Sequence, residues 1–319
     1  MLRILLVKTS SLGDVVHNFP AVTDIRRQLP NARIEWVVEE AYAPLVALHP
    51  AVDEVIPIAV RRWRRAITRR STWREFADLR RRLGNRPYDR IIDTQGLVKS
   101  AWIARLAKGE HIGLSRQTAR EPIAARFYET TFHVPENRHA VERNRTLIAL
   151  ALNLKIHAPI DYGLNGVRER SHAASSPSYA VLLHGTARPE KEWPEGAWQE
   201  LGRSIEAQGL QVVLPWGSER EESRSKRLAE CMTKATVPPR YSINDVAALL
   251  AAARLVVGVD TGLVHLGAAL GVPTVAIFRG SDPSLTGPVG PGRIAICGSK
   301  GQTPTVHEVI GAIGKILSQ

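Results

Sequence analysis

Val256-Val257-Gly258-Val259-Asp260-Thr261-Gly262-Leu263-Val264-His265-Leu266-Gly267-Ala268-Ala269-Leu270-Gly271-Val272-Pro273-Thr274-Val275-Ala276-Ile277-Phe278 reads as a buried strand, a tight polar turn, a helix with one apolar face, a glycine stop and a second buried strand. An Asp-Thr-Gly turn at the carboxyl end of a strand presents free backbone N–H groups at a helix N-terminus, a ready anion site. The chain opens on a second strand–loop–helix junction: Ile4-Leu5-Leu6-Val7-Lys8, then Thr9-Ser10-Ser11-Leu12-Gly13-Asp14-Val15-Val16-His17. Two such mouths, one in each half, predict two α/β domains facing one another across a cleft.

Length and composition agree. At 319 residues the chain exceeds one typical domain, and 44% hydrophobic with 23% charged residues supplies two cores. Cys231 and Cys297 have neither metal-ligand nor disulfide-framework spacing, which fits a reducing cytoplasm. The apolar start, Met1 to Val7, is strand-length and lacks the parts of a signal peptide. No apolar run approaches the roughly 20 residues of a membrane span. The net charge of +12 is uneven: residues 1–165 hold 27 Lys and Arg against 17 Asp and Glu, residues 166–319 hold 16 against 14. The densest part, 61–90, carries 12 arginines against Glu75, Asp78 and Asp89. Such a field gathers anions: nucleic acid, anionic lipid headgroups or phosphorylated sugars.

Along the first half, strands at Ile4–Lys8, Arg33–Val38, Val55–Ile58 and Tyr88–Asp93 alternate with helices. These are predicted at about Val15–Gln28, Trp63–Leu83, Leu97–Leu106 and Ala140–Leu152, with an irregular stretch from Gly113 to Pro122. This alternation argues for a parallel, doubly wound sheet. Small and polar residues between Gly166 and Ser178 suggest a linker. A second α/β series follows: strands Tyr179–His184 and Gln211–Pro215, helices near Gly196–Gln208, Glu221–Cys231 and Ile243–Ala252, the opening motif, and a last helix from about Val306 to Leu317.

Several polar residues stand at strand ends, each with a functional and a plain reading. Asp14 either caps a helix, with Ser10 and Ser11, or acts as an ionised general base with His17 one turn on. Lys191 is an ordinary surface-loop charge or, with Trp193 and Trp198 fixing the 184–194 segment against the core, a placed cation suited to phosphate. Glu221 and Glu222 follow Pro215-Trp216-Gly217-Ser218, where a carboxylate accepts from ribose hydroxyls or merely complements a helix dipole. His265 is a core histidine or an anion donor. Arg61-Arg62-Trp63-Arg64-Arg65 is a solvated face, a nucleic-acid contact or a lipid-headgroup site. There is no G-x-G-x-x-G, no P-loop, no G-x-S-x-G elbow and no metal-ligand spacing. What remains is a nucleotide held by backbone amides and single side chains, without metal or cofactor.

Taken together, certain segments resemble the lipopolysaccharide heptosyltransferases of glycosyltransferase family 9. They are Lys8 to His17, Trp36 to Glu40, Arg61 to Arg65, Asp93 to Ala101, Gln117 to Pro122, Lys191 to Pro194, Leu214 to Gly217 and Asp260 to His265. The Lys-Thr-Ser-Ser-x-Gly-Asp-Val and Gln-Thr-Ala-Arg-Glu-Pro segments point to the branch that adds the first heptose of the inner core. The resemblance implies a GT-B architecture of two Rossmann-like, doubly wound domains. On this reading 1–165 binds the acceptor, 166–178 is a linker, 179–302 binds the ADP-sugar, and the helix in 303–319 packs back toward the first domain. It implies an inverting, metal-independent transfer of L-glycero-D-manno-heptose from ADP-heptose to the Kdo of Kdo2-lipid A, with no cofactor. Such an enzyme is cytoplasmic and sits peripherally on the inner face of the Gram-negative inner membrane.

Carried over by residue, Asp14 matches the base and Lys191 the group that assists catalysis. Ser10, Gly13, Thr186, Lys191, Glu221, Tyr241, Asp260, Thr261, Gly262 and His265 match donor contacts. Arg61, Arg62, Arg64, Arg65, Gln95, Lys99 and Arg120 match the acceptor surface. Two positions depart from the family pattern: Ala187, where a second hydroxyl residue can follow Thr186, and Tyr241, where an apolar residue would cover the adenine. No nucleic-acid partner is implied, and a monomer is the default expectation. The rival readings are a GT-B enzyme for another sugar nucleotide, such as a second-heptose transferase, and a basic nucleic-acid binder.

Overall fold

Ile4 to Val7 and Leu255 to Val259 are buried along their whole length, which requires a sheet covered on both faces. The computed structural model describes residues 1–156, 159–172, 178–186 and 188–318. They form two units, Met1–Gly163 and Leu164–Gln319.

In the first unit the order is β1 (Arg3–Val7), α1 (Leu12–Val16), α2 (Phe19–Gln28), β2 (Arg33–Glu39), α3 (Ala43–Val46), β3 (Glu54–Ile58), α4 (Val60–Arg65) and α5 (Arg70–Gly84). It continues with β4 (Arg90–Asp93), α6 (Val98–Ala104), β5 (Glu110–Leu114), β6 (Thr130–Phe132) and α7 (Ala140–Leu152). Its six strands are parallel, in the order β3-β2-β1-β4-β5-β6.

The second unit runs α8 (Asn165–His172), β7 (Tyr179–Leu183), α9 (Glu195–Ala207), β8 (Gln211–Val213), α10 (Glu219–Ala229), β9 (Ala235–Thr236) and α11 (Ile243–Ala252). Then come β10 (Leu255–Val259), α12 (Gly262–Ala269), β11 (Thr274–Ile277), α13 (Pro283–Thr286), β12 (Ile294–Cys297) and α14 (Val306–Ser318). Its parallel order, β12-β11-β10-β7-β8-β9, is the same doubly wound topology. In each sheet the winding reverses once, between β1 and β4 and between β7 and β10. Open α/β sheets bind ligands beyond the strand ends at that reversal.

Several expectations are corrected. The helix expected over 15–28 is broken in two at His17-Asn18, because Pro20 lacks an N–H and cannot continue the preceding turn. The basic helix also divides, into α4 and α5. The carbonyls this frees are taken by side chains: Thr72 Oγ1 donates to Ala66 O (2.8 Å) and Trp73 Nε1 to Ile67 O (2.8 Å). The irregular stretch begins inside a strand, β5. The first part of the expected linker is helical: α8 belongs to the second unit and packs on α11, with Leu164 and Val167 buried. Residues 173–177 of that linker lie outside the described residues. Val309, Ile313 and Ile316 of α14 are built into the second unit's core with Trp193 and Trp198, against α9, β11 and β12.

Candidate functional site

β1 and β4 lie side by side, with Val7 in register with Asp93, so the loops after them meet at the first reversal point. Gln95 locks them together. Its Oε1 accepts from Thr9 N (2.6 Å), Thr9 Oγ1 (3.0 Å) and Ser10 N (3.1 Å), and its Nε2 donates to Ser10 O. Gln95, expected on the acceptor surface, is therefore buried and spent on holding this loop. Lys8 lies beneath it, donating to Thr94 O (2.9 Å) and Asn144 Oδ1 (3.3 Å). Burial lowers the Lys8 pKa, against the pull of Asp14 and Asp93. Asp93 is raised by burial although Ser100, Tyr128 and two loop amides donate to it.

Asp14 is at once a helix cap and a partly exposed carboxylate. Its Oδ2 accepts from Ser11 N (2.8 Å) and Ser11 Oγ (3.0 Å), closing a capping box on α1. The side chain nonetheless remains 27% exposed and faces Arg120 Nη1 at 3.6 Å. Burial alone would raise its pKa, but Lys8, the Ser11 amide, Arg120 and the Ser11 hydroxyl together hold it below the ordinary aspartate value. Gly96 brings Arg120 here. It has φ +66°, and a Cβ on it would lie 3.3 Å from Arg120 N, so any other residue would be strained and would press the two loops apart. His17 is buried, its ring edge-on to His139. Ser10 is also buried, and its Oγ accepts from Lys99 Nζ (3.1 Å). Ser10 and Gly13, expected as donor contacts, thus stand beside Asp14, Ser10 in the turn after β1 and Gly13 in α1.

On α4, Arg62 is committed to Glu40 (3.0 Å) and Glu75 (2.9 Å). Arg61 lies over the Tyr42 ring, while Arg64 and Arg65 are exposed. The basic surface available to a ligand is therefore made by Arg61, Arg64 and Arg65 rather than by all four.

In the second unit, Asp260 follows β10, and its carboxylate gathers the site. Oδ2 accepts from Lys191 Nζ (2.5 Å) and from Ser281 Oγ, and His265 Nε2 stands 3.7 Å from Oδ1. Burial opposes its charge, yet His265, Lys191 and Ser281 hold its pKa far below the usual carboxylate range. Thr186 Oγ1 donates to Asp260 O (3.4 Å), tying the end of β7 to the same turn. Thr261 is the N-cap of α12 without a side-chain cap bond, so the amides of the 261–263 turn head the helix. Glu221 caps α10, accepting from Gly217 N (2.7 Å) and Ser218 N (3.2 Å). A Cβ on Gly185 would lie 2.6 Å from its Oε1, so this carboxylate also adjoins the end of β7. Tyr241 is half-buried before Ser242, the cap of α11. Ala187 lies outside the described residues.

The residues missed at the sequence level are Ser281, Asn144 and Tyr128. Ser281 had a signal, lying just beyond the end of β11; Asn144 and Tyr128 meet the loops only through long-range packing. Among the described residues no group of three His, Cys, Asp or Glu side chains is arranged to hold a metal ion. Among them, too, no helix is long and apolar enough to cross a membrane.

The sequence profile of glycosyltransferase family 9 (heptosyltransferase) matches residues 76–311. The lipopolysaccharide heptosyltransferase 1 of Pseudomonas aeruginosa is 47% identical, over 92% of this chain and 83% of that protein. The structure of E. coli heptosyltransferase WaaC with ADP superposes with a TM-score of 0.92 at 41% identity, over 98% of this chain and 99% of that one. The same E. coli enzyme with ADP-2-deoxy-2-fluoro heptose gives a TM-score of 0.89 at 40% identity, over 98% and 99%.

Proposed function

The chain belongs to glycosyltransferase family 9, the heptosyltransferases, with their GT-B pair of parallel-sheet domains, and from that premise we propose that it adds the first heptose of the lipopolysaccharide inner core. The donor is ADP-heptose and the acceptor hydroxyl belongs to the Kdo of Kdo2-lipid A. The similarity to an enzyme solved with an ADP-heptose analogue carries this reading. It is supported by the two reversal-point sites, one presenting a carboxylate and the other a cation with helix amides.

Asp14 takes the proton from the acceptor hydroxyl as its oxygen attacks the anomeric carbon. The bond from that carbon to the diphosphate oxygen breaks on the opposite face, and ADP leaves with the electron pair, so the configuration inverts. Negative charge grows on ADP, and Lys191 with the 261–263 amides neutralises it, so the transfer needs no metal. Asp260 acts through others: it holds Lys191, Ser281 and His265 in place rather than meeting a diphosphate of its own sign. The basic surface of α4 and Arg120 receives the anionic acceptor, which seats the enzyme at the cytoplasmic face of the membrane.

The test is ADP release from ADP-heptose with and without Kdo2-lipid A, in the presence of EDTA, with UDP-sugars as controls. Acceptor-dependent ADP release that survives EDTA is expected. Release from UDP-sugars alone, or none with the Kdo acceptor, would overturn the assignment.

A further inference from the structure

A hollow of about 840 Å³ opens in the first unit between the α4–α5 pair and α6. Its lining is mainly aromatic and aliphatic. Phe76 stacks on Trp102, with ring centroids 5.3 Å apart, and meets Trp63 edge-on. Ile67, Trp73 and Trp102 stand 61%, 58% and 50% exposed around it. Contiguous apolar exposure of this kind marks a binding surface, and the volume falls in the range of pockets that enclose one small ligand, about 300–1,000 Å³.

Charge chooses the ligand. The charged lining residues are Arg64, Lys99 and Glu121. Glu121 is already committed, accepting from Val98 N (2.6 Å) at the start of α6. The two cations outnumber it, and an adjoining hollow is lined by Arg61, Arg64 and Arg65. The site therefore suits a molecule that is a long hydrocarbon at one end and an anion at the other. A nucleotide or free sugar would leave its polar groups unpaired against this lining.

The hollow also adjoins the Asp14 loop at two points. Lys99, from its wall, donates to Ser10 Oγ, and Glu121, from its rim, directly follows Arg120, which faces Asp14. We infer that this hollow holds one acyl chain of the lipid acceptor while the rim cations receive the acceptor's anionic head. The inference rests on the acceptor reading above and deepens it: the enzyme engages the lipid itself and not only its sugar.

Two measurements test it. The first is quenching of tryptophan fluorescence by 12-bromododecyl phosphate below its micelle concentration, so that no bilayer or micelle is present. Saturable quenching is expected, with the apparent Kd raised on the order of tenfold by Ile67→Asp, a change at an exposed position. The second compares KM for acylated and fully deacylated Kdo2-lipid A. Ile67→Asp and Trp102→Ser should each raise the acylated-to-deacylated KM ratio roughly tenfold. Absence of saturable quenching, quenching only with anionic phospholipid vesicles, or an unchanged KM ratio would overturn the inference. Unquenched tryptophans alongside normal ADP release would sink the hollow alone. Absence of ADP release from either acceptor would sink the transferase reading whatever the quenching showed.

Discussion

Replacing Asp14 separates two jobs that its carboxylate holds together. Asparagine keeps an oxygen able to accept from Ser11 N and Ser11 Oγ, now at 2.8 and 3.0 Å, but it cannot take a proton. Alanine removes both. Losing the capping box costs about 0.5–2 kcal/mol, and one kcal/mol in a unit of this size lowers Tm by roughly 2–4 °C. Asp14→Ala should therefore melt a few degrees below the parent and Asp14→Asn closer to it. Both should lose at least about a hundredfold in kcat, the usual scale for a general base, or about 2.7 kcal/mol of transition-state stabilisation. Steady-state ADP release at saturating donor and acceptor, beside thermal melts of the same samples, reads both effects. The reasoning fails if Asp14→Asn turns over within tenfold of the parent. It also fails if only the alanine variant is slow, because the rate would then follow the cap and not the proton.

Arg120 is one of the groups holding the Asp14 carboxyl below its ordinary value, and a carboxylate base is lost as pH falls through its pKa. Arg120→Ala should thus move the acid limb of kcat/KM to higher pH; a profile that stays in place or moves lower contradicts this. Lys191→Ala should weaken ADP binding and turnover together, and calorimetry finding unchanged affinity with an unchanged rate would refute its role. Arg61→Ala combined with Arg64→Ala should raise KM for the acceptor and leave that for ADP-heptose alone; the reverse pattern would interchange the roles of the two units.

The sheets were legible wherever burial demands a nearly unbroken apolar run, as in β1, β7, β10 and β11. The edge strands β6, β9 and β12 are two to four residues long, too short to show a period, and β5 was hidden by Glu110, His111 and Gly113. That Asp14 stands at a strand end was visible, since position decides it. That it is cap and exposed carboxylate together was not, because the choice depends on Arg120 and Lys8, which folding brings in from other loops. Gln95 misled for the same reason: an amide 85 residues from Ser10 gives no spacing signal, so only the fold reveals that its hydrogen bonds are already used. The arginine run drew notice as a block, yet Glu40 and Glu75 remove Arg62 from it.

The Gln95 clamp has a mechanical consequence. Three donors converge on one buried amide oxygen, so the wall bearing Asp14 cannot shift without stranding them away from water, where each unmet hydrogen bond costs about 1–3 kcal/mol. The wall is rigid before any substrate arrives. Accommodation of acceptors that differ in size or acylation must then fall to the other bank, where α4 contributes no buried residue and is held by partly exposed bonds of Arg62 and Trp63.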